Sequence, residues 1–377
     1  MRPTVIIGTG LAGYTLAKEL RRLQWQGPLV LVTEDEGQFY SKPMLSGALA
    51  KKKDVAALTM ASAEKMAADL DAQILTQSQV TAIDTQEKQL TINGQKQPYD
   101  KLVLAIGSFP IRLPLTGSGA EEVVSVNNLT DYGHFLNRLE KAHHVAIIGP
   151  GLIGSEFAND LLLSGRQVTM IGPDKWPINT LIPEEIGRAV QKTLAEKGAT
   201  WHLETFNGPI EKETKGYSTV LKSGVKVEAD LILSAVGVRP TVELAKKAGV
   251  EVNRGIVTDS FLKTSVDSLY ALGDCAEVAG RNLPFIAPLM IQAKALAKTL
   301  AGTETEVVYP AMPVVIKTTL YPVVTQPPPM GAQGAWRIDA TDKGIIGRFY
   351  NKEDKLIGFA LGGEATDQKA ALTKELE

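Results

Sequence analysis

The chain has 377 residues, 44% of them hydrophobic, and a formal net charge of −2, which suits a globular protein of two or three domains and argues against a nucleic-acid partner. Its single cysteine, Cys275, excludes an internal disulfide framework, a C-x-x-C redox pair, and a zinc or iron–sulfur site built from this chain's thiolates. No apolar stretch approaches bilayer length, so no membrane insertion is expected, and a reducing cytoplasmic setting fits.

In chain order, residues 4–7 read as a buried parallel strand, 10–23 as a helix with apolar positions Leu11, Tyr14, Leu16, Ala17 and Leu20, and 29–33 as the next strand. The acids Glu34 and Asp35 end this β-α-β unit. A basic run, Lys51 to Lys53, follows. Residues 64–70 read as helical, 89–92 and 102–105 as strands, and 107–114 as a crossover linker. A second unit begins with a strand at 144–148, a helix at 153–163 stopped at Gly165, and a strand at 168–171. A helix at 186–197 follows, then a hairpin of 219–221 and 226–228 around Gly224, and a buried strand at 231–235 that ends at Gly237. Residues 269–272 form a strand that enters Gly273-Asp274, and 289–300 a long helix. After Gly302 the pattern alternates at 314–317, 336–339, 345–350 and 356–361, with Pro327–Pro329 between the first two strands and a helix at 369–376. This reads as a small antiparallel α+β domain.

The same glycine fingerprint occurs twice. Gly8-Thr9-Gly10-Leu11-Ala12-Gly13 follows the first strand, and Gly149-Pro150-Gly151-Leu152-Ile153-Gly154 follows the strand at 144–148. In a G-x-G-x-x-G turn the first glycine permits the tight bend, the second lets backbone approach a pyrophosphate, and the third lets helix pack on strand. Amides at the helix N-terminus then meet the phosphates. Two copies in strand–turn–helix context imply two dinucleotides on one chain, whereas either alone also fits a glycine-rich turn of an ordinary α/β protein. The acid for ribose hydroxyls in the first unit is Asp35 or Glu34. The second unit has none at the matching strand end, where Gly172-Pro173-Asp174-Lys175 stands. Asp174 could reach a ribose and Lys175 could tolerate a 2′-phosphate, but no arginine cluster is present, so NADH is favoured and NADPH remains possible.

Four further segments resemble the two-dinucleotide flavoprotein reductases of the glutathione-reductase class. They are Tyr99-Asp100-Lys101-Leu102-Val103-Leu104-Ala105-Ile106-Gly107, the run from Asp230 through Gly237 to Pro240, Tyr270-Ala271-Leu272-Gly273-Asp274, and Tyr40-Ser41-Lys42-Pro43-Met44-Leu45-Ser46. Within that class Tyr40 to Ser46, Ala271 to Glu277, and Val314-Val315-Ile316-Lys317-Thr318 are most similar to rubredoxin–NAD reductases, with flavorubredoxin reductases near them. The resemblance implies two Rossmann-like domains and a small C-terminal α+β domain. FAD would lie in residues 1–112 and 240–310, NADH in 113–239, and residues 311–377 would cover the flavin.

By the same resemblance Lys42 and Pro43 contact FAD, as do Ala105, Gly107 and Asp274, while Gly237 belongs to the returning crossover. Val80 lies where such reductases touch adenine through backbone, its side chain being plain core. The amides after Ile286 could face the flavin pyrimidine oxygen. Ferredoxin-reductase relatives often carry a lysine just after the Pro-x-Leu-Ser loop, able to pair with a glutamate near the flavin. Here that place is Gly47, while the glutamate appears as Glu156. An unpaired carboxylate there would be costly to bury, so Lys317 is expected to supply the cation, its alternative being a surface lysine on an edge strand.

Cys275 reads as a small buried residue, and His134, His143, His144 and His202 form no metal spacing. Lys51 to Lys53 is either a solvated face or a docking patch for an acidic protein; rubredoxins are small and acidic. With no cysteine pair to receive electrons, the reduced flavin must pass them to an external acceptor. A flavin can release them one at a time, which suits an iron centre. The alternatives are flavorubredoxin, a ferredoxin, a quinone or oxygen as acceptor, or a sensor that binds FAD and NADH with little turnover.

Overall fold

The computed structural model describes residues 1–376. The chain forms two compact units, one of residues 1–42, 57–109 and 238–309, the other of residues 43–56, 110–237 and 310–377. Segment 43–56 therefore belongs to the second unit, although 42 and 57 belong to the first.

The first unit is built on a parallel sheet in the order Leu269–Ala271, Lys101–Leu104, Thr4–Ile7, Leu29–Val32, Gln73–Leu75. Its strands are apolar at successive positions because both faces are covered, and Val5, Ile6, Leu31, Leu102 and Val103 are fully buried. The helices Leu11–Arg22 and Ile286–Leu300 pack together beside it. The second of these begins at Ile286, three residues earlier than expected, with Pro288 inside its first turn. There the ring is tolerated because the missing N–H would have no helical partner.

The second unit repeats the plan with a parallel sheet in the order Ala199–His202, Gln167–Ile171, His144–Ile148, Leu231–Ser234. A single bridge from Val124 to Leu233 adds a residue beyond Leu231–Ser234. The expected hairpin at Gly224 (φ +86°) is there, extended to three strands by Asn207–Lys212. Helix Leu129–Leu139 is one the periodicity missed. Asn128 caps it, its side chain accepting from the Asp131 amide at 2.7 Å.

The C-terminal sheet is antiparallel with the order Val314–Ile316, Val323–Gln326, Leu356–Gly363, Gly344–Asn351, Gly334–Thr341. Strand Val323–Gln326 was hidden by its flanking prolines, Pro322 and Pro327. The proline run lies beyond this second strand rather than between the first two: pairing stops at Gln326, where the backbone donors run out.

Candidate functional site: two dinucleotide cradles and a buried ion pair

The two fingerprints fold into the same backbone device. Gly8 has φ +109° and Gly149 φ +107°. A Cβ on Gly8 would lie 2.3 Å from the Ala105 carbonyl oxygen, and one on Gly149 would lie 2.6 Å from that of Ala235. A Cβ on Gly13 or Gly154 would lie 1.9 Å from the carbonyl oxygen of Gly8 or Gly149. The hydrogen bonds repeat as well. Gly8 N donates to Val32 O (2.8 Å) and Ala105 N to Ile7 O (2.8 Å); Gly149 N donates to Ile171 O (2.9 Å) and Ala235 N to Ile148 O (2.8 Å).

The middle glycines differ in kind. A Cβ on Gly10 or Gly151 would meet nothing within 4 Å, so the fold itself does not require glycine there. Each is the N-cap of its helix, with no side-chain cap and no acid in the first turn. Helices Ala63–Leu70 and Leu129–Leu139, by contrast, are capped by Ser62 and Asn128 and carry Glu64 and Asp131 in the first turn. An uncapped helix start with open space over its glycine leaves amides and positive dipole for an external anion, which is what a pyrophosphate needs. Leu11, Ala12 and Ile153 lie in these first turns, and Thr9 is buried in the first bend.

Around the first cradle, Asp35 Oδ1 accepts from Thr33 Oγ1 (2.7 Å) and Gly37 N (2.9 Å), which ties it into its own turn, while Glu34 is exposed at the strand end. Asp274 is half-buried after strand Leu269–Ala271; Ser108 Oγ donates to its Oδ2 at 2.8 Å. Gly107 (φ +66°) and Gly237 (φ +102°) are the left-handed turns that end the two crossovers. Val80 is buried at the start of strand Val80–Asp84. Lys42 and Pro43 open the 3-10 turn Lys42–Gly47, both half-buried. Helix Ile286–Leu300 also starts without a side-chain cap or an early acid, and Ile286 is exposed. Cys275 is fully buried; burial pushes its thiol up to about 12, which removes it as a nucleophile.

The helix behind the second cradle, Leu152–Leu163, is apolar except for buried Ser155, Glu156, Asn159 and Asp160. Glu156, 2% exposed, is ion-paired to Lys317 through Oε2 and Nζ. Its Oε2 also accepts from Ser46 Oγ (2.6 Å), and its Oε1 accepts from the Lys317 amide (2.9 Å). The Lys317 stem passes Gly47, where a Cβ would lie 3.8 Å from Lys317 Cε. Lys317 thus takes up the space beside position 47, where the relatives' lysine would stand.

One turn on, Asn159 accepts from Leu320 N (2.9 Å) and donates to Thr319 Oγ1 (3.1 Å). Asp160 accepts from Leu49 N (2.8 Å) and Ala50 N (2.9 Å), and burial nevertheless pushes its carboxyl above the usual range. The loop beginning at Lys42 is therefore held at Ser46, Leu49 and Ala50, and Tyr132 Oη donates to Lys53 O (3.0 Å), leaving Lys51 and Lys52 exposed on a fixed turn. Ser46, Asn159, Asp160 and Ser108 were not singled out from the sequence. The i, i+3, i+4 spacing of Glu156, Asn159 and Asp160 on an otherwise apolar helix was the available signal.

Residues 2–295 match the family model for pyridine nucleotide-disulphide oxidoreductases, and residues 306–376 that for the rubredoxin binding C-terminal domain. A rubredoxin-NAD(+) reductase of Alcanivorax borkumensis is 45% identical over 377 residues, covering 100% of this chain and 99% of that protein. A nitric oxide reductase FlRd-NAD(+) reductase of Aliivibrio fischeri is 34% identical over 374 residues, covering 99% and 98%. The solved structure of a ferredoxin reductase for the CYP199A2 system from Rhodopseudomonas palustris superposes with a TM-score of 0.89 at 25% identity, covering 97% of this chain and 92% of that one. No helix among the described residues is long and apolar enough to cross a membrane. With its doubled cradle and its full-length matches, the chain belongs to the pyridine nucleotide-disulphide oxidoreductase family and carries that family's rubredoxin-binding C-terminal domain.

Proposed function

We propose that the protein is an FAD-dependent reductase that passes electrons from NADH to rubredoxin, acting in the cytoplasm. The observation that carries this reading is the pair of uncapped helix starts, each open over its middle glycine. The first cradle holds FAD. Gly8, Gly10 and Gly13 admit the pyrophosphate, exposed Glu34 takes the ribose in preference to the tied Asp35, and Asp274 takes the ribityl chain with Ser108 fixing its orientation. Lys42, Pro43, Val80, Ala105, Gly107 and Ile286 complete the contacts. The second cradle, with Gly149, Gly151, Ile153, Gly154 and the crossover turn at Gly237, holds NADH.

When bound, the flavin accepts a hydride from NADH and releases electrons singly. The chain positions the two nucleotides and offers no cysteine pair as internal acceptor. Glu156 and Lys317 take the flavin-side role that related reductases give to a glutamate and a lysine. The pair is net neutral, so Glu156 is buried without an unbalanced charge, and Lys317 supplies a cation that favours the reduced, anionic flavin. Exposed Lys51 and Lys52 steer an acidic iron protein. The 45% relative named as a rubredoxin reductase, against 34% for the FlRd reductase, favours rubredoxin over flavorubredoxin.

Steady-state reduction of purified rubredoxin by NADH tests the reading. Rubredoxin should be reduced far faster than a free dye at low salt, with the advantage shrinking as salt rises. Equal rates for both acceptors would reject rubredoxin as the partner.

A further inference from the structure

We propose that Asp174, two residues beyond the usual place for a ribose-binding acid, receives the adenine-ribose hydroxyls of the nicotinamide dinucleotide and makes the protein selective for NADH over NADPH. The inference rests on reading the second cradle as the nicotinamide site. Matched hydrogen bonds put the two cradles in register. Gly8 N donates to Val32 O and Gly149 N to Ile171 O, so Thr33 and Gly172 occupy equivalent positions at the strand ends.

In the first cradle a side chain fits there. In the second it does not: a Cβ on Gly172 would lie 2.2 Å from Pro150 Cδ and 2.7 Å from its Cγ. Pro150 is the variable residue of the fingerprint, where the first cradle has Thr9. The proline ring thus forbids a side chain, acidic or otherwise, at the end of the strand. The next atom that such a Cβ would meet is Asp174 Oδ2, at 3.3 Å. The carboxylate folds back two residues into the volume that a side chain on residue 172 would have entered.

The loop that carries it is fixed on several sides. Gly172 N donates to His202 O (3.1 Å), Thr205 N to Gly172 O (3.1 Å), Glu204 N to Asp174 O (3.1 Å), and Ile178 N to Pro150 O (2.9 Å). Ile178 is held at φ +61°, a conformation a β-branched residue adopts only where its surroundings demand it. The Asn179 side chain hydrogen-bonds Asp174, and burial draws its carboxyl above the usual range. A half-buried carboxylate is an acceptor that can take both ribose hydroxyls, and it repels the doubly charged 2′-phosphate of NADPH. The one basic residue in 172–179 is Lys175, an exposed point charge without the arginine fork suited to a phosphate.

The test is calorimetric binding of ADP-ribose and of 2′-phospho-ADP-ribose to the flavin-loaded protein, beside KM for NADH and NADPH. Native protein should favour ADP-ribose. In Asp174→Asn that preference should shrink roughly tenfold or more, with KM for NADH raised, kcat changed by less than about twofold and the flavin spectrum intact. Asp174→Glu should restore part of the preference. An Asp174→Asn protein with the native preference, or a native protein that favours the 2′-phosphate, overturns the proposal. Gly151→Val separates this failure from that of the underlying reading: it should lose both ligands alike. If it binds both as the native protein does, the nicotinamide site is elsewhere and the proposal falls with it.

Discussion

The two cradles share a backbone and differ at the rim. Gly8, Gly10 and Gly13 are reproduced by Gly149, Gly151 and Gly154 down to the carbonyl that the first glycine crowds, Ala105 in one and Ala235 in the other. What separates them lies one residue away. Thr9 leaves room for Thr33, and Glu34 follows as an exposed acid. Pro150 demands Gly172, and the acid moves to Asp174. The second cradle's helix carries a further change of the same sort, since Gly47 lacks the relatives' lysine and the Lys317 side chain fills the space beside it. In both places a glycine vacates a position and a charged group from elsewhere in the fold occupies it. The pyrophosphate device is thus constrained by close backbone contacts, whereas the charges around it are constrained only by where they must arrive.

That contrast can be broken most severely at the middle glycines. Gly10→Val should yield a folded, colourless protein, because the fold has room for the side chain while the pyrophosphate does not. NADH-dependent turnover should drop by roughly a hundredfold or more, as expected when a reactive group is displaced by about an ångström. The flavin absorbance of the purified variant reads the loss. Next in size, Lys317→Met leaves Glu156 buried with only Ser46 and the backbone amide of residue 317. Since Lys317 is itself about one-third exposed, denaturant unfolding should show a loss of about 1–3 kcal/mol. The flavin potential should fall, and an unchanged potential would remove Lys317 from the flavin-side role. Gly172→Ala should cost a comparable ~1–3 kcal/mol through its collision with Pro150, and adding Pro150→Ala should recover most of it.

Smaller still is the surface term. Lys51→Glu with Lys52→Glu should slow rubredoxin reduction roughly tenfold at low salt and leave dye reduction as it was, the difference closing near 0.5 M salt (an order-of-magnitude expectation). The smallest effect concerns His144, whose ring contacts Thr169 Oγ1 at 2.8 Å and whose pKa burial lowers from 6.5. A histidine that is harder to protonate when folded binds more protons when unfolded, so stability drops as pH falls below about 6.5. His144→Gln should flatten that dependence by a few tenths of a kcal/mol in thermal melts at pH 5 and 7, and an unaltered slope would assign it to other groups.

The parallel sheets, both fingerprints and the long helices were legible because runs of apolar residues and obligatory glycines are local signals. The Glu156–Lys317 pair was anticipated through an absence, the lysine missing at Gly47, combined with the cost of burying a carboxylate alone. Strand Val323–Gln326 and helix Leu129–Leu139 were not legible: one is four residues between prolines, and the other is marked mainly by its Asn128 cap. Ser46 and Asp160 escaped for another reason. Their partners lie 110 or more positions away, and hydroxyl and carboxylate side chains carry no periodic signature of what they will meet. Asp174 was noticed only as an option. The crowding of Gly172 by Pro150, which makes it the chosen acid, exists only in three dimensions.

The central claim, that two like-built cradles hold two different nucleotides, is tested most directly by anaerobic stopped-flow bleaching of the flavin in Gly151→Val. The account predicts a yellow protein with full flavin content whose absorbance scarcely falls when NADH is added. A colourless protein, or one bleached by NADH at the native rate, would contradict it.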